Sequence, residues 1–324
     1  MANDPSYHLI DYSLRSAKFA ERKMLCEMFG RLTVFAPLEK YCYIGFGSIW
    51  FADCVLFHRT LGIKQLISIE EKGHHKKRFE FNIPYQGIEL RMAHSSNVLQ
   101  NLDWNQRTII WLDYDDQLSP SILDDVDMVT EKAQSGTALV VSVQTQGIQD
   151  KQLNLDKPTP IKNRDQFLNL FGAERTPRGL RSDDFEGWNL STMSRKVILE
   201  SIESTLKTVN MTRQPKKQIH FQQTVAFEYS DGAKMTTIGG IFVNQAEQNQ
   251  FKEAGFEKLS FYQNAEEAIR IEVPKLTPRE MRHLDRQLPC PNGETIEADF
   301  VPEKDAKNYA KFYRYLPNFA SFEP

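Results

Sequence analysis

The amino-acid sequence predicts an α/β fold built on a doubly wound, mostly parallel sheet. Three observations predict it. An apolar run over 41–44 leads into two glycines, Gly45 and Gly47, and an apolar helical pattern follows them. Apolar strand patterns then alternate with helical patterns as far as residue 147. Late in the chain, two strand patterns flank a short turn over 230–232, which predicts an antiparallel hairpin at the edge of the sheet.

The predicted strands share short apolar runs bounded by turn residues. Five of them precede the hairpin, at 41–44, 65–69, 88–92, 108–112 and 138–143. The hairpin adds 221–227 and 235–243, so the sheet is expected to have seven strands. The predicted helices have apolar residues at helical spacing, at 11–31, 48–60, 121–134, 194–208 and 278–288. The polar, proline-bearing stretch 145–165 is interpreted as a loop.

Serine side chains are the expected caps of two helices, because a hydroxyl oxygen accepts a free backbone N–H there. Ser48 is the candidate cap after the glycines, and Ser119 or Ser121 is the candidate cap of the helix at 121–134. The predicted organisation has five parts: a helical segment 1–40, a cofactor-binding core 41–147, a polar and helical insertion 148–218, the hairpin region 219–272 and a C-terminal extension 273–324.

Composition narrows the class of protein. The chain has 324 residues, of which 40% are hydrophobic and 26% charged, and its net charge is −3. These values indicate a soluble globular protein and do not predict bulk attraction to nucleic acid. The N-terminus lacks an apolar signal core, and no run of about 18 apolar residues predicts a membrane span. The four cysteines form no Cys-x-x-Cys pair, which favours reduced, buried thiols and a cytoplasmic location.

The glycine turn predicts a ligand site. Gly45 is expected to permit a sharp turn and Gly47 a close approach of backbone to a ligand. Glu70 ends the second strand, 23 residues past Gly47, where a carboxylate can hold the hydroxyls of a ribose. Ligands of open α/β folds bind at this carboxyl edge of the sheet. The simpler alternative is a tight strand-to-helix turn without a ligand.

Acidic residues follow the fourth strand. Asp113, Asp115 and Asp116 would repel one another, which should raise at least one pKa if they are partly buried. Such a group suits general-base chemistry or a divalent metal, but further oxygen ligands are not evident, so no metal site is assigned. The alternative is a solvated acidic loop that caps a helix.

The order of these parts resembles the class I S-adenosylmethionine-dependent methyltransferase superfamily, over residues 30–147 and 219–272. The resemblance implies S-adenosylmethionine as cofactor and an unknown oxygen or nitrogen acceptor. It implies that Gly45 and Gly47, with the adjacent Ser48, lie under the methionine part of the cofactor and that Glu70 holds the ribose. The loop over 94–97 would contact the adenine.

Within that loop, the resemblance implies that Ser95 and Ser96 bind the cofactor. It also places Asp113 and Asp115 at the position of substrate-facing or catalytic groups. Methylators of adenine or cytosine amino groups in DNA carry an Asp/Asn-Pro-Pro-aromatic motif here. This chain has Asp-Tyr-Asp-Asp instead, which disfavours a DNA base as acceptor.

The chain also departs from the superfamily pattern. Tyr43 stands where an acid usually precedes the first glycine, Ile49 replaces the third glycine, and His94 begins a loop that lacks the usual acid. These departures motivate an alternative hypothesis, in which a catalytically inactive methyltransferase fold serves as a nucleotide-binding sensor or a protein-interaction scaffold.

Two basic clusters and an aromatic tail have more than one interpretation. Arg15, Lys18, Arg22 and Lys23 are interpreted as a solvated helix face, with closure over a cofactor carboxylate or a substrate phosphate as the alternative. The cluster 74–78 is interpreted as a solvated loop or helix start, and contact with nucleic acid is not excluded. The aromatic residues of 309–322 either cover the domain or bind a protein partner.

Overall fold

The computed structural model describes residues 15–71, 75–151, 157–290 and 296–317. Ten strands form two sheets. They are β1 (Cys42–Phe46), β2 (Gln65–Glu70), β3 (Ile88–Met92), β4 (Thr108–Gln117), β5 (Ala138–Gln144), β6 (Ile148–Asp150), β7 (Thr159–Ile161), β8 (Ile219–Ser230), β9 (Lys234–Asn244) and β10 (Ile269–Ile271).

The large sheet has the strand order β10-β8-β9-β5-β4-β1-β2-β3. Strand β9 is antiparallel to both of its neighbours, and the other pairs are parallel. This confirms the predicted mostly parallel sheet with a late antiparallel hairpin. The sheet has eight strands because the short β10 adds to its edge, and three residues are too few to give a recognisable sequence pattern.

Ten α-helices occur in the described residues. They are α1 (Ser16–Gly30), α2 (Ala52–Leu61), α3 (Lys76–Phe81), α4 (Ser95–Gln100), α5 (Pro120–Lys132), α6 (Arg164–Phe171), α7 (Asn189–Asn210), α8 (Gln248–Ala254), α9 (Pro278–Asp285) and α10 (Glu303–Phe312).

Alternate residues of the central strands face two different cores, so the sheet is buried on both sides. Tyr43 and Trp111 belong to a core with α1, α2 and α8. Their neighbours Ile44 and Ile110 belong to a core with α4, α5, α6 and α7. Continuous apolar strands of this kind need helices on both faces, which is the doubly wound arrangement.

The connection after β1 differs from the prediction. Strand β1 continues to Phe46, so Gly45 lies inside it rather than in a turn. Helix α2 begins only at Ala52, and the residue before it, Phe51, adopts a left-handed φ of 47°. Ser48 therefore does not cap α2; its hydroxyl accepts the N–H of Trp50 at 3.3 Å. Ser119 does cap α5, as predicted, by accepting the N–H of Ile122 at 3.4 Å.

The stretch 145–165 contains structure that the sequence did not indicate. Its strands β6 and β7 pair antiparallel, so the prediction of a plain loop is wrong. Both strands have three residues, which is too short for an alternating pattern, and β7 contains Pro160. Proline is tolerated there because a two-stranded sheet has only edge strands.

Both ends of the described part of the chain, near residues 17 and 315, are held against the rest of the domain. The turn of the β8–β9 hairpin supplies Asp231, whose carboxylate accepts the backbone N–H groups of Ala17 and Lys18 at 2.9 and 3.0 Å. At the other end, Phe312 and Tyr315 are buried in the core beside α1. The described part of the aromatic tail thus covers the domain. Phe319 and Phe322 lie outside the described residues.

Two further findings concern membrane-spanning helices and the cysteines. Among the described residues, no helix combines the length and the apolar composition needed to cross a bilayer. The four cysteines are free thiols, and Cys26, Cys42 and Cys54 are buried.

Candidate functional site

A cavity of about 310 Å³ opens at the carboxyl ends of β1, β2 and β4. This volume lies at the lower end of the range of small-molecule sites in proteins, roughly 300–1,000 Å³. Six of the eight predicted site residues line it: Gly47, Ser48, Glu70, Ser95, Asp113 and Asp115. Gly45 and Ser96 do not. The sheet edge that the sequence indicated is therefore the wall of a real cavity.

The two glycines are needed for close packing. A Cβ at Gly45 would lie 2.2 Å from the hydroxyl oxygen of Tyr43, so the glycine makes room for that ring. A Cβ at Gly47 would lie 2.7 Å from Oγ of Ser68 and 3.1 Å from the carbonyl oxygen of Ile69. The N–H of Gly47 donates to that same carbonyl at 2.5 Å. Gly47 thus lets the end of β1 approach β2 while it lines the cavity.

Strand β4 continues to Gln117, so the three predicted acids lie within the strand and not in a loop after it. The carboxylate of Asp113 accepts a hydrogen bond from Nζ of Lys18 on α1 at 2.5 Å. The same ammonium lies 2.8 Å from Oε2 of Glu21 and 4.2 Å from the ring centroid of Trp111. Lys18 is only 5% exposed. Asp113 is therefore held by a buried ammonium, and Glu21, on the same helix as Lys18, pairs with that ammonium as well.

The other two acids of this part of β4 are less buried than Asp113. Asp115 and Asp116 are exposed, and Asp116 pairs with Lys151 at 2.8 Å. Within the described ranges, no group of three or more His, Cys, Asp or Glu side chains is arranged to hold a metal ion. Asp113 is accordingly the most buried of the three acids.

Helix α1 corrects the interpretation of the first basic cluster. Lys18 and Arg22 are 5% and 7% exposed, so the predicted solvated face is wrong for these two residues. Nε of Arg22 pairs with the carboxylate of Asp53, and both residues line the cavity or its rim. Long basic side chains are buried here because carboxylates at the strand and helix ends pair with them. The sequence shows the charges but not these partners.

The pKa shifts follow from burial and from these ion pairs. Burial alone would lower the pKa of Lys18, but the carboxylates of Asp113 and Glu21 raise it above its ordinary value of 10.5. Burial raises the pKa of Glu21 above its ordinary 4.5, although Lys18 acts in the opposite direction. Lys18 is therefore protonated at neutral pH.

A chain of hydrogen bonds continues beneath this ion pair. The hydroxyl of Thr237 donates to Glu21, and its oxygen lies 2.7 Å from Oγ of Ser142. The indole N–H of Trp111 donates to that Oγ at 3.0 Å. Buried polar groups that satisfy one another in this way rigidify a site.

An acid was expected at position 43, where the chain has Tyr43, and in the structure a carboxylate from another element lies beside Tyr43. Tyr43 is 1% exposed, and its hydroxyl lies 3.4 Å from Oδ2 of Asp53, in the first turn of α2. Burial raises the pKa of Tyr43 well above its ordinary 10.0, so the hydroxyl keeps its proton and donates. A carboxylate thus reaches the end of β1 from the following helix, which the strand sequence alone does not reveal.

The loop after β3 is organised around His94 and Asp125. His94 caps α4: its Nδ1 accepts the N–H of Ser96 at 3.3 Å and lies 3.1 Å from Oγ of Ser96. Ser95 and Tyr114 donate to Oδ2 of Asp125 at 2.5 and 2.7 Å. Asp125 lines the cavity and is 1% exposed. Its Oδ1 accepts no hydrogen bond from the residues that the structure describes.

Sequence reasoning missed Asp53 and Asp125 of this site, and it gave Arg22 a role beside a ligand only as the alternative to a solvated helix face. Asp125 stands in a helix that also carries Asp124 and Asp127, so its residue type did not distinguish it. Arg22 and Asp53 lie in helices as ordinary charged residues. Only their burial and pairing mark them.

Comparison with known families gives one match over nearly the whole chain. Residues 10–324 match the model of a family described as "Putative O-methyltransferase". The match confirms the predicted superfamily and the class of enzyme, and S-adenosylmethionine is the cofactor of that superfamily. No curated protein is significantly similar to this chain in sequence.

Solved structures resemble the chain only distantly. Trm1 from Pyrococcus horikoshii, solved with S-adenosyl-L-methionine, is 11% identical with a TM-score of 0.42; the match covers 72% of this chain and only 58% of that one. The O-methyltransferase from Bacillus cereus, solved with SAH, is 12% identical with a TM-score of 0.35, covering 74% of this chain and 84% of that one. Likenesses this distant say nothing about substrate or activity.

Proposed function

The chain belongs to the O-methyltransferase family whose model it matches, and on that premise we propose that it transfers a methyl group from S-adenosylmethionine to a hydroxyl oxygen. One observation carries the proposal. The cavity that six predicted residues line also has Asp125 in its wall, with a buried carboxylate oxygen that lacks a donor among the described residues. Such an oxygen costs free energy unless a ligand supplies the donor.

The residues present fit the cofactor along the length of the cavity. Asp125 would accept the amino group of the adenine, because Oδ2 is already used and Oδ1 is not. Glu70, the last residue of β2, would accept the ribose hydroxyls. Gly47 supplies a surface without a side chain between these residues and the end of β1. The adenine amino group and the ribose hydroxyls would therefore each have a carboxylate acceptor in the wall.

The bound cofactor supplies a methyl group on a sulfonium, which the acceptor oxygen attacks while the carbon–sulfur bond breaks and its electron pair returns to sulfur. The chain's part is positioning. Asp113 lies in β4 and in the cavity wall, and it would orient the acceptor hydroxyl and take its proton. Lys18 holds the Asp113 carboxylate in one place through the 2.5 Å contact.

The test measures binding of S-adenosylhomocysteine by isothermal titration calorimetry. Replacing Glu70→Gln or Asp125→Asn should weaken binding about 10- to 100-fold, the range for one charge-assisted hydrogen bond. Asp124→Asn is the matched control, because Asp124 lies next in the same helix, is exposed and pairs with Arg175. The control should bind as the unmodified protein does.

A change in the ligand sharpens the test of Asp125. S-inosylhomocysteine carries a carbonyl in place of the adenine amino group, so the unmodified protein should prefer S-adenosylhomocysteine. Asp125→Asn offers an amide N–H and should narrow or reverse that preference. Absence of heat with either ligand at high micromolar concentration would contradict the proposal and favour the inactive, scaffold-type protein instead.

A further inference from the structure

We propose that Glu21 stores the proton of the acceptor hydroxyl, which reaches it from Asp113 across the ammonium of Lys18. The inference rests on the proposed function, in which Asp113 takes that proton, and it adds the group to which Asp113 passes the proton on. Glu21 is not among the described residues that line the cavity, so it acts through Asp113 without touching the acceptor.

The first support is the geometry of the three side chains. Nζ of Lys18 lies 2.5 Å from Oδ1 of Asp113 and 2.8 Å from Oε2 of Glu21, so one ammonium bridges two carboxylates. The side chain of Asp113 is 20% exposed and lines the cavity, whereas that of Glu21 is fully buried. A proton can therefore enter at Asp113 and end on an oxygen that water does not reach.

The second support is the net charge of the buried cluster. Lys18 and Arg22 contribute two positive charges, and Arg22 interacts with Asp113 as well as with Asp53. Glu21, Asp53 and Asp113 contribute three negative charges. One negative charge is thus unmatched, and burial makes an unmatched charge costly. Before the transfer it is matched by the positive sulfur of the cofactor, and afterwards by the proton of the acceptor.

Protons and charge balance in this step. The acceptor oxygen bonds to the methyl carbon and gives its proton to Asp113, while the carbon–sulfur bond breaks and leaves its electron pair on sulfur. Asp113 passes a proton to Nζ of Lys18 as Lys18 passes one of its own to Oε2 of Glu21. Asp113 is then a carboxylate again, Lys18 is still an ammonium and Glu21 is neutral. After the products leave, the proton returns by the same route to water at Asp113.

The third support is the environment of Glu21. Burial raises the pKa of Glu21 above its ordinary 4.5, Lys18 lowers it and Asp113 raises it. Tyr229 of β8 also acts on Glu21, and burial raises the pKa of Tyr229 well above 10.0, so this neighbour stays neutral. The hydroxyl of Thr237 donates to Oε1, which leaves Oε2, the oxygen nearest to Lys18, for the proton. These surroundings favour a neutral Glu21 once a proton arrives.

The experiment follows the charge of Glu21 by carbon-13 NMR of protein labelled at the glutamate side-chain carboxyls. The signal of Glu21 is the one that Glu21→Gln or Glu21→Asp removes. In the complex with S-adenosylhomocysteine, whose sulfur is neutral, Glu21 should titrate about one pH unit or more above its titration in the complex with S-adenosylmethionine. Between these two titrations, Glu21 should be neutral in the first complex and charged in the second, because a positive sulfur favours the carboxylate.

Calorimetry gives an independent readout. It is performed between pH 5 and 7, where the amino groups of both ligands keep their protons, in buffers of different ionisation enthalpy. Binding of S-adenosylhomocysteine should take up more protons than binding of S-adenosylmethionine, by up to about one per protein molecule. Glu21→Gln should remove this difference. The matched control is Glu27→Gln, which changes a glutamate of the same helix that pairs with Tyr315, and it should keep the difference.

Asp113→Asn tests the link across Lys18 in the protein without ligand. It removes a negative charge, so Glu21 should titrate at a lower pH. Asp116→Asn changes an exposed acid of the same strand that pairs with Lys151, and it should leave Glu21 unchanged. An unchanged titration of Glu21 in Asp113→Asn overturns the inference.

The two ligand complexes separate this inference from the proposed function. If Glu21 carries the same charge in both complexes at every pH, the inference is overturned, whereas binding of both ligands leaves the proposed function standing. If neither ligand binds, the proposed function fails and the inference fails with it.

Discussion

The two sides of the cavity are built on different principles. The strand-end side consists of Gly47, Glu70 and Asp113, which lie where parallel strands reach the carboxyl edge of the sheet. The helical side consists of Lys18, Arg22 and Asp53, contributed by α1 and α2. The topology of the sheet places the first set. The second set is placed by packing of a helix that is remote in sequence.

Charged side chains on the two sides of the cavity differ in burial and in pairing. On the strand-end side, Glu70 is only half-buried and faces the cavity from the end of β2. On the helical side, Lys18 and Arg22 are almost fully buried and paired. Removing a member of a buried pair leaves an uncompensated charge, whereas removing a half-buried carboxylate mainly removes a ligand contact. The helical side should therefore affect stability more, and the strand-end side should affect binding more.

The largest effect on stability is expected from Lys18→Met. It leaves Asp113 and the buried Glu21 without their cation, which should cost about 3–5 kcal/mol at pH 8. The cost should shrink as the pH falls toward 5, because the raised pKa of Glu21 lets that carboxyl become neutral at a higher pH than an exposed one. Chemical denaturation of both proteins across this pH range measures the difference.

Chemical denaturation at high pH tests the direction of the pKa shift of Lys18 itself. Because its pKa in the folded protein is raised, its stabilising effect is fully present below 10.5 and is lost as the pH rises through the folded value. Lys23→Met is the control and should change stability little at any of these pH values. A constant cost for Lys18→Met from pH 5 to 8 would refute the role of Glu21.

A smaller loss of stability is expected from Gly47→Ala on the strand-end side. The new Cβ would lie within 2.7 Å of Oγ of Ser68, so the ends of β1 and β2 must separate. Overpacking of this kind costs about 1–3 kcal/mol, and the distorted wall should also weaken binding of S-adenosylhomocysteine. Gly30→Ala is the control, because its Cβ would meet only ordinary contacts at 3.7 Å. Equal stability of the two variants would show that the close approach is not required.

The smallest loss of stability is expected at the contact between the β8–β9 hairpin and the start of α1. Asp231→Ala removes the carboxylate that accepts the first N–H groups of α1, which should cost about 1 kcal/mol. Because α1 carries Lys18 and Arg22, the variant should also bind S-adenosylhomocysteine more weakly. Asp231→Asn keeps an oxygen acceptor and should recover most of the loss. Thermal unfolding and calorimetry together decide the outcome; full affinity in Asp231→Ala would show that α1 is placed independently of the hairpin.

Much of the strand-end side could be predicted because its signals are local. Glycines after an apolar run, an acid at the end of the next strand and acids after the apolar run of the fourth strand indicate the carboxyl edge within a few residues each, although β4 itself continues through those acids to Gln117. The errors here are also local. Gly45 lies in the strand rather than in a turn, and Ser48 does not cap α2, because β1 runs two residues further than its apolar run suggests.

By itself, the sequence determined the mostly parallel sheet, its late hairpin and the edge at which the cavity opens, since apolar periodicity and turn residues act over short distances. Only the tertiary structure decided the rest: that Lys18 and Arg22 are buried rather than solvated, that Asp53 reaches the end of β1, and that Asp125 keeps one oxygen without a donor among the described residues. The physical reason is that a sequence shows which side chains are charged, but not whether water or an ion pair stabilises each charge. Its partner is chosen when distant segments pack together.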